Sequence, residues 1–525
     1  MKISTVGQSR SHSLKDLLLS SVCASVLALS CVPGIARADE NVVNAIGTTI
    51  NVTGGDISTT GDGDPTVTAD HQGTVTLSDV TITTQGHSSH GLYANDGSTI
   101  SITDSAITTE GYNGRGVYAI GGSSITLTDT NIWTFGGAAA GIFAVGSGTD
   151  VDATNVNIST TGSSGNGVFA FEDAVVTIDG GKLNVAGDGV PDSFIEVVGL
   201  RASFGGQISA EDLEINMAGQ NVIGLAASGV SPKQVSPFVT MTGGSGTLTG
   251  MNSTGGKVAD GGSITLDHYK LTVENGVGFV MIDDASATLF NSTVTSSART
   301  FDATFFESGM SQEIMVDGES RIINTEDLTL LEVSRQNDGS DGEVKLTIRG
   351  GSSVEGNIFD EDFRDGNGNT TVVIENASLT GMMQGVQNLE LSKAGVWNAT
   401  FDSTVDQISL GEGGGTIGAT VFDVTLAAPI SGRGGLITTG DKLLTLTGNS
   451  SFEGGIIIES GTLSFGNGGT CGAYGGNIVN NATLIIDRSN SIIYNGEISG
   501  SGNSIKKGLG TLTWSCPQKT GHAQV

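Results

Sequence analysis

One pattern of apolar positions recurs along the chain: apolar, any, apolar, then a third apolar residue five positions later. It reads Val75, Leu77, Ile82, then Ile100, Ile102, Ile107, then Ile125, Leu127, Ile132. It continues as Val151, Ala153, Ile158 and Val176, Ile178, Leu183, so that successive copies lie 25 or 26 residues apart. The triplet returns at Ile208, Ala210, Ile215, at Ile264, Leu266, Leu271 and at Ala287, Leu289, Val294. A second motif keeps the same step: Gly91-Leu92-Tyr93-Ala94, Gly116-Val117-Tyr118-Ala119, Gly141-Ile142-Phe143-Ala144 and Gly167-Val168-Phe169-Ala170. Alternation of apolar and polar positions is a strand with one inward face. Each run is bounded by Gly, Asn, Asp or Ser, which make turns. A repeat this short cannot bury its own apolar face, whereas stacked copies bury a continuous core. The pattern predicts an all-β fold, a right-handed parallel β-helix (solenoid) with coils of about 25 residues, each of three short strands and three turns. Between 300 and 400 the step is less even and charges cluster.

Composition sharpens this picture. Of 525 residues, 81 are glycine and 7 are proline. Glycine supplies the unusual backbone angles of coil corners. Proline is scarce because each coil must donate its N–H groups to the next. Collagen is excluded, because glycine is far below one third. The formal charge of −32 argues against a nucleic-acid partner, since phosphate contacts need a basic surface. No stretch past the N-terminus has the run of about 18 apolar residues that a membrane helix needs, so no transmembrane segment is expected in the mature chain.

The first 38 residues read as an address. Lys2, Arg10 and Lys15 precede the apolar stretch from Leu17 to Leu29, and Ala36-Arg37-Ala38 fits the small-x-small cleavage rule. A secretory signal peptide over 1–38 is expected, cut before Asp39; a lipid-bearing Cys31 is the lesser alternative. Its removal leaves 19 of the 23 basic and 54 of the 55 acidic residues, a charge of −35. Only Cys471 and Cys516 would then remain, too few for a disulfide framework.

Residues 428–515 carry a different repeat. One copy runs Ile430-Ser431-Gly432-Arg433-Gly434-Gly435-Leu436 to Leu444-Thr445-Leu446. Another runs Gly500-Ser501-Gly502, then Ile505-Lys506-Lys507-Gly508-Leu509-Gly510-Thr511-Leu512-Thr513-Trp514. This segment resembles the passenger-associated transport repeats of bacterial autotransporters, and the body resembles their pertactin-like passengers more loosely. The resemblance implies a solenoid passenger over 39–427, an autochaperone-like end over 428–515 and a tail outside the family over 516–525. It implies Leu436, Leu446, Ile456, Leu463, Leu484, Ile498, Leu512 and Trp514 as the core of that end. An autotransporter of this kind continues into a membrane β-barrel, which is expected to be missing here. After Trp514 the chain shows no repeat and no strand.

Candidate chemistry is sparse. His87 and His90, with His71 one coil away, could ligate a metal, against a plain solvated loop. Asp365, Asn367 and Asn369 resemble the start of a calcium loop, but Thr370 stands where glycine is required. Asp79, Asp104 and Asp129 recur at the coil step; paired carboxylates serve sugar-chain cleavage, whereas an aspartate just after a strand makes a turn. The column Tyr93, Tyr118, Phe143, Phe169 is expected to be an internal ladder rather than a sugar-stacking surface. No nucleophile elbow or phosphate loop occurs. No catalytic, cofactor-binding or metal-ligating residue is therefore assigned, and no cofactor.

The resemblance implies an exported, non-enzymatic passenger, adhesin-like or structural, without its translocator barrel. Its place would be the cell surface or outer membrane, or the medium, if a barrel is supplied, and otherwise the periplasm. Host surface or matrix components would be its partners, with no receptor named. The rival readings are a β-helix polysaccharide lyase or hydrolase and a truncated remnant.

Overall fold

The computed structural model describes residues 36–38, 42–190, 196–336, 342–361, 369–515 and 519–524. Ala36–Val525 forms one compact unit. Every named element in it is a strand, and the strands of successive coils pair in parallel, as the repeat predicts. One coil shows the plan: Val117–Ile120, Ser124–Thr128 and Asn131–Thr134 are its three strands, separated by tight turns. Residue sits over like residue. Ile125 pairs with Ile100 below it and Val151 above it, and Ile132 with Ile107 and Ile158.

The triplets are the core. Ile100, Ile102, Ile107, Ile125, Leu127 and Ile132 are wholly buried. Burying one such side chain contributes about 1.5–3 kcal/mol, so each coil gains only by docking on its neighbours. The first column of the triplet continues where the sequence shows no clear triplet. Val239 fills the coil between Ile208 and Ile264, and Ile314, Leu346, Val372, Leu389 and Ile408 carry it on to Ile430. The uneven step has a simple cause. Extra residues are placed in corners, as between Ile208 and Val239, while the inward columns stay in register.

The corner after this strand opens on a left-handed residue. Asp79, Asp104, Asp129, Asn155, Asp212, His268 and Asn291 have φ between 47° and 54° there, and Gly180, Gly243 and Gly318 take the same place in other coils. Asp and Asn tolerate this region because their short polar side chains bond locally, and glycine because it has no Cβ. Elsewhere glycine is required by contact. A Cβ on Gly111, Gly136 or Gly162 would collide with the carbonyl oxygen of the matching glycine one coil below.

The coil does not keep its size. From Ile100 to Ile358, which pairs with Met383, the step runs from 22, between Phe279 and Phe301, to 32, between Val176 and Ile208; Leu389 then pairs with Ile408 and Ser431 with Ser451, a step near 20. The change is located in Met383–Ser392. Its first residues pair with Ile358 and Phe359, its last with Thr371–Glu375, so one strand covers two faces and a corner is lost. Trp397, wholly buried, fills the space beside it and donates its indole N–H to the Gly381 carbonyl at 3.0 Å. The expected coil of about 25 residues is thus shorter, near 20, in the C-terminal part.

In residues 428–515 the expected core is buried at Leu436, Leu446, Ile456, Leu463, Leu484 and Ile498. Leu512 is only half-buried and Trp514 is exposed, its ring meeting Tyr494 edge-on at 5.7 Å. The expectation of no strand after Trp514 is also corrected: Lys519–Gln524 is a strand beside Ser499–Ile505. Pairing uses the backbone, so a tail with no repeat can still add to a stack. The expected leader falls almost wholly outside the described residues; of it only Ala36–Ala38 is described, a strand next to Val52 and Gly55.

Candidate ligand-binding face

The strand carrying the Gly-x-aromatic-Ala motif decides where its rings point. In Leu92–Ala94 the flanking Leu92 and Ala94 are buried and Tyr93 is half-buried. The same holds for Tyr118, Phe143 and Phe169. Alternation along a strand sends neighbours to opposite faces, so inward Leu92 and Ala94 require an outward Tyr93. The expected internal ladder is therefore corrected: the rings form a stripe on the outside of the sheet.

Coil stacking sets their spacing. Tyr93 and Tyr118 lie 5.5 Å apart between centroids, Tyr118 and Phe143 5.5 Å with only 9° between planes, and Phe143 and Phe169 4.9 Å. The stripe turns onto Phe171 and Phe204 through edge-on contacts of 5.6 and 5.4 Å. Two arginines lie along it. The Arg115 guanidinium is 4.5 Å from the centroids of both Tyr118 and Phe143. That of Arg201 is 5.2 Å from Phe169, in whose column it stands one coil further on. Arg201 also pairs with Glu196 at 3.5 Å, and Glu196 with Lys257. His90 closes the other side, its ring edge-on to Tyr118 at 4.9 Å and its Nδ1 accepting the Arg115 backbone N–H at 3.2 Å.

Electrostatics follow from this crowding. Burial, aided by the neighbouring Arg115 charge, pulls the His90 imidazole down to about 3, so it is neutral at ordinary pH. Burial lowers the Arg115 pKa, while Tyr118 acts to raise it. Burial first, then Tyr118 and Asp70, raises that of Tyr93 and keeps its phenol protonated. The face thus offers aromatic rings, phenol groups and the Arg115 cation, outside the core and along several coils.

No protein-family model matches the chain. A curated protein does. The chain is 26% identical over 271 residues to the Adhesin BmaC autotransporter of Brucella suis biovar 1 (strain 1330), which covers 51% of this chain and 7% of that protein. Over that stretch the chain is similar to an autotransporter adhesin, and its all-parallel β solenoid fits a passenger domain. The chain spans less than a tenth of the length of the curated relative it matches.

In this solenoid the other expected candidates take ordinary places. Asp79, Asp104 and Asp129 are the left-handed corners described above. His71, His87 and His90 are not brought together. His71 pairs with Asp70 at 3.0 Å, His87 lies 6.1 Å from the Tyr112 ring, and His90 is in the aromatic face. A grouping not expected, Asp70, His71 and Asp96, has ligand atoms within 4.8 Å of one another on the surface. Asp365 and Asn367 lie outside the described residues. A cavity of about 560 Å³ opens in the C-terminal part, lined by residues such as Phe465, Tyr474, Ile492 and Tyr494, with no carboxylate, imidazole or amine in its wall. Among the described residues no helix is long and apolar enough to cross a membrane.

Proposed function

We propose that the chain is an exported, adhesin-like passenger without enzymatic activity, led out by residues 1–38, whose stacked sheet holds a lateral contact face at the cell surface. The aromatic stripe from Tyr93 to Phe169 carries the reading. Half-exposed rings are costly to leave in water, and contiguous apolar patches mark contact sites. The stack holds them on rigid strands, so little ordering remains to oppose binding. The adhesin relative supports the same direction. The acidic surface suits a displayed molecule, because like charge keeps copies apart. The lyase or hydrolase reading gains no support from the corner aspartates, whose place is explained by φ.

The test is adherence of the purified full chain to cultured host cells, with turnover assays on acidic and neutral polysaccharides in parallel. Saturable adherence, reduced by the double change Tyr118→Ser and Phe143→Ser, is expected, with no turnover. Turnover lost on an aspartate substitution would overturn the non-enzymatic reading. Adherence equal to that of an unrelated acidic protein would overturn the adhesin reading.

A further inference from the structure

In a chain with 55 acidic and 23 basic residues, most buried or half-buried arginines find a carboxylate. Arg201, Arg299, Arg335 and Arg349 do so. Arg115 pairs with no carboxylate among the described residues; its guanidinium is held over Tyr118 and Phe143 instead. Stacking fixes the plane of a guanidinium while leaving its N–H edge to bond outward. Of its neighbours in the adjoining coils, His90 is neutral and Ala140 offers no polar side-chain atom, so neither answers the charge. The phenol oxygens of Tyr93 and Tyr118 stand in the same stripe. Neither has a protein hydrogen-bond partner among the described residues.

We propose that Arg115, with the Tyr93 and Tyr118 rings and hydroxyls, forms a binding site for a carboxylate-bearing saccharide. The guanidinium fork matches a carboxylate in two parallel hydrogen bonds. The phenols match sugar hydroxyls, and the rings match the C–H surface of a pyranose. An acidic peptide fits less well. The backbone N–H and C=O groups of Val117–Ile120 are taken up by the coils on either side, so a peptide strand has nothing to pair with. The surrounding negative charge repels an anionic chain everywhere else and confines it to this stripe. The proposal deepens the adhesin reading and rests on it for its biological sense. Its test is direct binding to a defined sugar, so its failure would leave adherence to cells untouched.

The experiment is calorimetric titration of the full chain with oligogalacturonate and its carboxyl-reduced form, and with sialyllactose and lactose. Binding of one acidic sugar at least tenfold tighter than its neutral counterpart is expected, and the two pairs tell a uronate from a sialate. Arg115→Gln should weaken that binding at least tenfold, while Arg321→Gln, at an exposed arginine elsewhere, leaves it unchanged. Arg115→Lys keeps the charge without the fork, and a similar loss is expected from it should the Gln variant not fold. Equal binding of acidic and neutral sugars, no binding of any, full binding by the folded Arg115 variants, or equal binding of poly-glutamate would each overturn the proposal.

Discussion

The guanidinium carbon of Arg115 lies 4.5 Å from the centroid of the Tyr118 ring. The residues are close in sequence, but a Gly116 bend between them puts both side chains on the outer face. The pair, extended to Phe143 in the next coil, joins two coils through side chains as well as through the backbone ladder. Cation–π contacts of this partly desolvated kind contribute about 1–2 kcal/mol. Arg115→Ala should lower stability by about that amount. Hydrogen exchange of the Val117–Ile120 amides checks it, with faster exchange expected there than in distant coils.

His90 should make stability depend on acidity. Its folded pKa of about 3 lies below the ordinary value of 6.5. Above the ordinary value both folded and unfolded chains hold it neutral, and its contribution is fully present. As pH falls, the unfolded chain takes up the proton first, so stability is lost between about 6.5 and 3. From pH 7 to pH 5 this contribution falls by about 2 kcal/mol. A His90→Asn variant lacks it, so the gap between native and variant chains should move by that amount across this window. Denaturant midpoints of both chains at a series of pH values measure the gap, and titration of surface carboxylates cancels in the comparison.

Two glycines separate steric from conformational need. At Gly136 a Cβ meets the backbone of Gly111, which cannot turn aside, so Gly136→Ala should cost about 1–3 kcal/mol or force adjacent coils apart. At Gly180 nothing lies within 4 Å of the new methyl, but φ is 69°. Gly180→Ala should therefore cost only about 1–2 kcal/mol, from the left-handed backbone alone. Gly180→Asn should recover most of it, since Asn155 occupies the same corner one coil earlier. Thermal melts of the three variants order the effects.

Arg335 and Asp360 form an ion pair at 2.6 Å with both side chains almost wholly buried. Thr370 donates to the second carboxylate oxygen at 2.7 Å, and Arg335 donates to the Gly342 carbonyl at 2.9 Å. Arg335→Met leaves a buried carboxylate without its cation and should cost about 3–5 kcal/mol. The double change Arg335→Met with Asp360→Leu should restore much of this, because an apolar pair suffers no charge burial. A double-mutant cycle in urea gives the coupling; equal melting of all four chains would rule out a stabilising pair.

Much of the fold was legible because it is one-dimensional. Val75, Ile100, Ile125 and Val151 show their stacking in the residue step alone, and Asp79, Asp104 and Asp129 mark corners because few residue types accept a positive φ. The side on which the aromatic rings lie was legible too, in the alternation of Val117, Tyr118 and Ala119, but recurrence in step with the core motif pointed the other way. The columns at Val239, Ile314 and Leu346 were hidden by loops of varying length, which shift the residue count without shifting the register. Nothing local marked the shortening of the coil at Met383–Ser392.

The amino-acid sequence by itself determined the repeat, the inward columns and the residues able to turn corners, since each depends on local alternation and backbone tolerance. Only the tertiary structure decided which residues of different coils meet. Arg115 reaches Phe143, His90 reaches Tyr118 and Arg335 reaches Asp360 through the register of the stack, and these contacts join positions about 25 residues apart that no local pattern links. The candidate binding face belongs to this second class: its rings are local, but its cation is held by coil-to-coil stacking.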